Sequence, residues 1–322
     1  MKAITATRYG SPDVLSFEEV ERPEPSPGEV LVKIHATGVN AGDWHLLRGE
    51  PFLIRLMGFG LLKPKNRILG TDIAGVVEAI GDSATEFKVG DKVFGSLATS
   101  GFGGFAEYAS ARADAMALMP QNVSFEEAAS LPTSALTALQ ALRKGSVQAG
   151  MEVLVNGASG GVGSFSVQIA KSLGAHVTGV SSSRNLDLVR ELGADEVIDY
   201  TSVDFTTMGK CYDVIHAANG YHPISHYGRV LKDGGTYVMT GGTSRQLTEV
   251  MLWGKWHSRR GNKTFCNVMM EPESSDLVFI RNLVEAGKVK PNIEDVYSLK
   301  QVAEAIRKTE IGHNSGKLVV SM

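Results

Sequence analysis

Residues 153–163 read VLVNGASGGVG, in which a short, mostly apolar strand-like run passes into a stretch where glycine and other small residues displace almost everything else. Glycines in such number cost backbone entropy, which is tolerable where the chain must turn sharply and something must approach closer than a Cβ would allow. A bound phosphate meets that description. The run follows a strand-like segment and opens a helix-like one, VGSFSVQIAKSLG, with a second strand-like segment, HVTGVS, beyond it. That is the context a dinucleotide fingerprint needs. Ala158-Ser159-Gly160-Gly161-Val162-Gly163 keeps the second and third glycines of the fingerprint and has alanine at the first. Gly160 would let a pyrophosphate touch the backbone and Gly163 would let helix pack on strand, while the helix start supplies free N–H groups and partial positive charge.

Working outward, the alternation continues. From about residue 124 the chain reads helix-like SFEEAASLPTSALTALQALRK, then EVLVNG, the glycine run with its helix, HVTGVS, RNLDLVRELG, EVID, DVIHAA, HYGRVLK and GTYVMTGG. Strands separated by helices of that length need crossover connections, so the sheet is expected to be mostly parallel with helices on both faces. The first 120 residues differ, with short strands such as DIAGVVEAIG and DKVFGSL cut by turn residues. After residue 273 come two amphipathic helical stretches, SSDLVFIRNLVEAGKV and SLKQVAEAIRKTEIG, and a closing strand, GKLVVSM. The expectation is an α/β protein with a β-rich domain over residues 1–122 and 273–322 and a doubly wound parallel-sheet domain over 123–272.

Composition excludes several classes. With 322 residues, 43% hydrophobic and 21% charged, the chain has material for two cores, and a net charge of -3 gives no case for wrapping nucleic acid. The short SRRGNK at 258–263 reads as a solvated loop. The start, MKAITATRYGSPD, has no apolar stretch of signal length, and PFLIRLMGFGLL at 51–62 is interrupted by Arg55, Gly58 and Gly60 and is too short to cross a bilayer. A cytoplasmic location is expected. Cys211 and Cys266 lie far apart and read as free thiols of a reducing compartment, not as a disulfide framework or a multi-cysteine zinc site.

The end of the second strand bears on which dinucleotide binds. In HVTGVSSSRN, Ser181 and Ser182 occupy the place where an acidic residue would hold a ribose 2′-hydroxyl, and Arg184 follows. Hydroxyls with a guanidinium fit a 2′-phosphate, so NADPH is the expected cofactor. A serine there can also cap the helix RNLDLVREL, and both roles can coexist.

The chain resembles the medium-chain dehydrogenase/reductase superfamily in its zinc-free quinone oxidoreductase, zeta-crystallin-like branch, over essentially its whole length. The carriers are RPEPSPGEVLVKIHATGVNAGD at 22–43, GTDIAGVVEAIG at 70–81, VGDKVFG at 89–95, NGASGGVGSFSVQIAK at 156–171, LGADEVIDY at 192–200 and GKLVV at 316–320. The resemblance implies a GroES-like β-barrel catalytic domain completed by the C-terminal segment, a Rossmann domain between, and the cofactor in the cleft. Zinc-bearing relatives place a cysteine and a Gly-His-Glu motif where this chain has Asn40 and Gly70-Thr71-Asp72, and the four-cysteine structural lobe is missing. No metal is expected. The chemistry left is hydride transfer from NADPH to a small electrophilic acceptor, a quinone or an α,β-unsaturated carbonyl. The alternative is a non-enzymatic NADPH-binding sensor or adaptor of the same fold.

By the same resemblance, Asn40 lies near the nicotinamide, with a turn-stabilising role as the alternative. Asp43 reads as a helix cap, His45 as a candidate proton relay and Trp44 as core or pocket wall. Thr133 and Thr137 resemble positions facing the nicotinamide-side phosphate and ribose, and Tyr200 an adenine-side neighbour. Ala217, Ala218, Asn219, Gly241 and Gly242 stand at carboxyl ends of parallel strands, where such sheets place ligands. Lys317 is a candidate cofactor contact, although lysine is ordinarily exposed. The acceptor pocket is expected along residues 51–68, with Phe52 and Phe59, the alternative for 51–62 being contact with a partner or a membrane surface, and Trp253, Trp256 and His257 are further candidates for its wall or for a subunit contact. A homodimer is expected.

Overall fold

Alternating apolar residues and turn signals cut the first part of the chain into β1 (Lys2–Ala6), β2 (Leu15–Glu19), β3 (Glu29–Val39), β4 (Asp72–Ile80), β5 (Lys92–Ser96), β6 (Tyr108–Arg112) and β7 (Met116–Leu118). The computed structural model describes residues 1–243, 246, 248–251 and 262–322. Within these the chain forms two units, Met1–Thr133 with Pro272–Glu285 and Pro291–Met322, and Ser134–Glu271 with Ala286–Lys290.

In the first unit, β1 and β2 form an antiparallel pair, and a seven-stranded sheet has the order β14-β15-β3-β4-β5-β7, with β6 also on β3. Here β14 is Ile293–Ser298 and β15 is Lys317–Ser321. The last strand thus returns across some 280 residues to pair antiparallel with the first long one, Leu318 opposite Val39 and Val320 opposite Thr37. Val30, Val32, Ile34, Ile73, Val77 and Val93 fill one core. Helix α1 (Ala41–Arg48) follows β3 at once and stops at Gly49, whose left-handed φ of 62° suits a residue without a Cβ.

The second unit alternates as its pattern requires. It holds α3 (Pro132–Lys144, begun at the end of the first unit), β8 (Glu152–Asn156), α4 (Gly161–Ser172), β9 (His176–Ser181), α5 (Leu186–Glu191), β10 (Glu196–Asp199), β11 (Tyr212–Ala217), α6 (Ile224–Arg229), β12 (Leu231–Met239) and β13 (Thr264–Asn267). The sheet order is β10-β9-β8-β11-β12-β13, and every neighbouring pair is parallel. This is the doubly wound order, whose reversal beside β8 is where such sheets bind ligands. All residues of α4 from Gly163 to Ala170 are buried, which explains its small and apolar composition.

Three expectations change in detail. The helix read across 124–144 is two helices, α2 (Phe125–Ala129) and α3, because Pro132 cannot continue a helix and instead starts one. Helix α2 packs on β3 and β4, so the division between units falls at 133/134, later than residue 123. The stretch HYGRVLK is helical only to Arg229, since Leu231 already pairs with Tyr212 of β11 and opens β12.

One buried histidine pins the second unit. His216 of β11 is fully buried, with Nδ1 2.8 Å from the Ser166 hydroxyl and Nε2 2.8 Å from that of Thr240. Burial pushes its pKa down to about 3. The depressed value means that its contribution to stability is present above the unfolded value near 6.5 and is lost as pH falls toward 3. Calorimetry from pH 7 to 4 should show a shallower fall in Tm for His216→Gln than for the parent.

Candidate active site

Four separated segments of the first unit meet at the end of β3. Asn40 caps α1, and its N–H donates to Asp43 Oδ2 at 2.7 Å. Its Nδ2 donates to Thr71 Oγ1 at 3.0 Å and Asp72 Oδ2 at 2.9 Å, and its Oδ1 accepts from Lys317 Nζ. The same ammonium donates to Val39 O at 3.1 Å and lies 3.8 Å from Asp72 Oδ2. Asp72 also receives the Thr133 N–H, 3.1 Å from each oxygen, and the Thr133 hydroxyl at 2.5 Å. Lys317 is 3% exposed, so the ordinary expectation for lysine fails here, and Thr133 commits its hydroxyl to Asp72.

Two carboxyl groups and one ammonium are therefore buried together. Burial raises Asp43 to about 7, with Asp72 adding to the rise and the Asn40 and Gly70 amides and Lys317 opposing it. Burial also raises Asp72 and lowers Lys317. The donors converge on Asp72, opposite Lys317, whereas Asp43, raised by burial, accepts from the Asn40 N–H.

Nearby on α1, His45 Nδ1 lies 2.8 Å from the Glu50 carbonyl. A carbonyl only accepts, so Nδ1 carries the hydrogen and Nε2 is bare, and burial holds the ring neutral. Trp44 stacks on His45 at 3.5 Å and packs against the Leu47 core. Phe52 is exposed, while Phe59 is half-buried against Phe102 at 5.9 Å.

In the second unit the glycine run divides by role. A Cβ on Gly163 would lie 1.9 Å from Gly157 O, and one on Gly157 2.8 Å from Asn219 Cβ, so close packing requires both. Gly160 is different, for a Cβ there would meet only Gly157 O, at 3.6 Å. The protein leaves that space open. Helix geometry leaves the N–H groups of Gly161, Val162 and Gly163 without intrahelical partners. Ala158 turns its N–H to Val180 O at 3.0 Å and buries its methyl, so it shapes the turn and offers no donor. These features fit the diphosphate of a dinucleotide.

The second strand's end departs from expectation. Ser181 is buried, and its hydroxyl donates to Ser159 Oγ at 2.8 Å, which also accepts from Asn185 Nδ2 at 3.0 Å. Ser181 thus orders the phosphate turn and does not face a 2′-phosphate. Ser182 stands at the N-cap position of a short 3₁₀ turn, without a side-chain capping bond, and that turn carries the exposed Arg184. Asp199, opposite Ser181 in register, accepts from the hydroxyls of Ser183, Thr201 and Ser202, which hold it down at about 2. Tyr200 is partly exposed beside Tyr221, their rings 5.4 Å apart. Thr137 is buried in α3, and Ala217 is buried while Ala218 and Asn219 emerge toward solvent. Gly241 and Gly242 are accounted for by packing, since Cβ atoms there would stand 2.3 Å from Ala218 O and 2.7 Å from Gly220 O. Trp253, Trp256 and His257 lie outside the described residues.

Residues 26–121 match the alcohol dehydrogenase GroES-like domain, and residues 192–320 the zinc-binding dehydrogenase family. The chloroplast envelope quinone oxidoreductase homolog of Arabidopsis thaliana is 36% identical, over 99% of this chain and 98% of that protein. The chain belongs to the medium-chain dehydrogenase/reductase superfamily. The NADPH-dependent alkenal/one oxidoreductase, chloroplastic, of the same plant is 30% identical over 99% of this chain and 79% of its own length. The quinone oxidoreductase from Coxiella burnetii superimposes with a TM-score of 0.87 at 29% identity, covering 100% of this chain and 99% of that one.

Within this superfamily the chain is a quinone oxidoreductase-like oxidoreductase with a nicotinamide cofactor, a GroES-like domain and a Rossmann-type sheet. Its residues do not fit the zinc that one matched family is named for. Asn40 and Thr71 hydrogen-bond to each other, and a dication would meet the Lys317 ammonium at Asp72. Among the described residues no group of three or more His, Cys, Asp or Glu side chains is placed to hold a metal.

Two variants test this electrostatic reading. Lys317→Met strands a buried carboxylate and should cost about 3–5 kcal/mol in urea unfolding, part of which Asp72→Asn in the same chain recovers. Asp43→Asn keeps an acceptor for the Asn40 N–H. Because the folded pKa is raised, the stability contributed by the Asp43 proton is present below 3.8 and lost as pH rises through about 7. Asp43→Asn should therefore raise Tm at pH 8 and not at pH 4.

Proposed function

We propose that this protein transfers hydride from NADPH to an already electrophilic acceptor, a quinone or the β-carbon of an α,β-unsaturated carbonyl, without zinc. The observation that carries this reading is the closed network of Asn40, Asp72, Thr133 and Lys317, which is neutralised by an ammonium and offers no Lewis acid to polarise an alcohol. The names of the relatives, a quinone oxidoreductase homolog and an NADPH-dependent alkenal/one oxidoreductase, agree with it.

NADPH supplies the hydride when bound. The open space at Gly160, the N–H groups of Gly161 and Val162 and the Ser159 hydroxyl hold its diphosphate, Tyr200 with Tyr221 flanks the adenine, and Arg184 with Ser182 meets the 2′-phosphate. Ala218 and Asn219 border the same strand ends. Asn40, with both its amide hydrogens and its oxygen engaged, keeps the nicotinamide side of the pocket fixed. His45 in its Nδ1-protonated form can take up a proton at Nε2 but cannot begin by giving one there. Phe59, half-buried against Phe102, contributes apolar contact to the acceptor. We also propose a homodimer in the cytoplasm, a reducing location in keeping with the free thiols Cys211 and Cys266.

Following NADPH absorbance with ortho-quinones, para-quinones and 2-alkenals tests the reading, and tight NADPH binding with no oxidation by any of them contradicts it. One charge-assisted contact is worth roughly 1.5–3 kcal/mol, about one to two decades in affinity. Arg184→Ala should lose that much preference for NADPH over NADH in kcat/KM at low salt, with NADH kinetics nearly unchanged. Gly160→Val should impair both cofactors alike.

A further inference from the structure

The segment 51–62 is built the reverse of an ordinary surface loop, with its one charged side chain, Arg55, turned inward and most of its large apolar ones outward. Arg55 Nε donates to Gly49 O at 3.0 Å and a terminal nitrogen to Arg48 O at 3.1 Å, and the guanidinium lies 4.3 Å over the Tyr9 ring. The Tyr9 hydroxyl in turn shares its one hydrogen between the carbonyls of Phe59 and Gly60, at 3.0 and 2.5 Å. These inward bonds fix the loop on the first unit. Meanwhile Phe52, Leu53, Leu56, Met57, Leu61 and Leu62 are all more than half exposed, Leu62 at 88%. Large apolar side chains gathered in this way mark a surface that is covered by something else.

Charge identifies the cover. No Asp or Glu occurs between Glu50 and Asp72, while Arg55, Lys63, Lys65 and Arg67 all do, within a chain whose net charge is -3. Lys63 and Lys65 are exposed beside the apolar tip, and Arg67 pairs with Glu18. Two copies of this loop face to face would bring like charges together, which disfavours a symmetric self-contact. Apolar side chains flanked by lysines match the boundary between acyl chains and anionic headgroups. Among the described residues no helix is long and apolar enough to cross a membrane. We propose that residues 52–65 dock this protein on anionic lipid membranes, with the apolar tip in the interface and Lys63 and Lys65 over the phosphates. This docking does not depend on the acceptor or the cofactor preference.

The experiment is co-sedimentation of the full chain with vesicles of phosphatidylcholine alone or mixed with phosphatidylglycerol. Binding to the mixed vesicles is expected, with little to the neutral ones and progressive loss as salt rises. Each lysine should contribute about fivefold, so Lys63→Gln with Lys65→Gln should weaken binding more than tenfold. Leu56→Glu with Leu62→Glu should abolish it while leaving Tm and NADPH titration as in the parent. Absence of parent binding to the mixed vesicles overturns the proposal, as does binding that neither pair of substitutions changes. It is equally overturned if Leu62→Glu splits a dimer in sedimentation velocity while the parent ignores vesicles.

Discussion

The ammonium of Lys317, held between Asn40 Oδ1, Val39 O and the carboxylate of Asp72, is the contact on which the first unit depends. It gathers the end of β3, the start of β4, the start of α3 and the start of β15, segments that sequence separates by up to 277 residues. An ammonium buried to 3% exposure needs an anion, and a fully buried carboxylate needs donors, so each group makes sense only with the other in place. The C-terminal strand must return to the first sheet for that to happen. The discontinuous first unit follows from this pairing as much as from the apolar register of β15 on β3.

The same contact bears on chemistry. Positions where zinc-bearing relatives hold a thiolate and an imidazole here carry an amide and a hydroxyl that hydrogen-bond to each other, and the cationic charge beside them is covalently part of the chain. On the proposed reading, this site positions an acceptor and supplies no Lewis acid. On the same reading the work of reduction rests on the cofactor, and the second unit has open space at Gly160 beside the head of α4.

Much of this was legible in the sequence because it is encoded locally. The glycine run, the alternation of period-2 and period-3.6 segments and the sheet class all depend on neighbours within a few residues. What escaped depends on register and burial. Ser181 and Ser182 look alike in a row of serines, yet strand parity turns the first inward to Ser159 and leaves the second at the start of the 3₁₀ turn. Asp199 reaches the Ser183 turn only because β10 pairs with β9 in parallel register, so no inspection of HVTGVSSSRN could find that carboxylate. Lys317 reads as a candidate cofactor contact, and its bonds to Asn40 and Val39 show only once β15 is paired with β3, while His216 looks unremarkable until two hydroxyls close around it. The inward anchoring of Arg55 by Tyr9 is likewise a contact across more than forty residues that no local pattern announces.

The most direct test of the central claim is metal content measured alongside turnover. Elemental analysis of the purified protein, followed by acceptor reduction before and after exhaustive chelation, should find no stoichiometric zinc and an unchanged rate, because Lys317 already supplies the positive charge at Asp72. One zinc per chain, with activity lost on chelation and restored by adding the metal, would contradict the account.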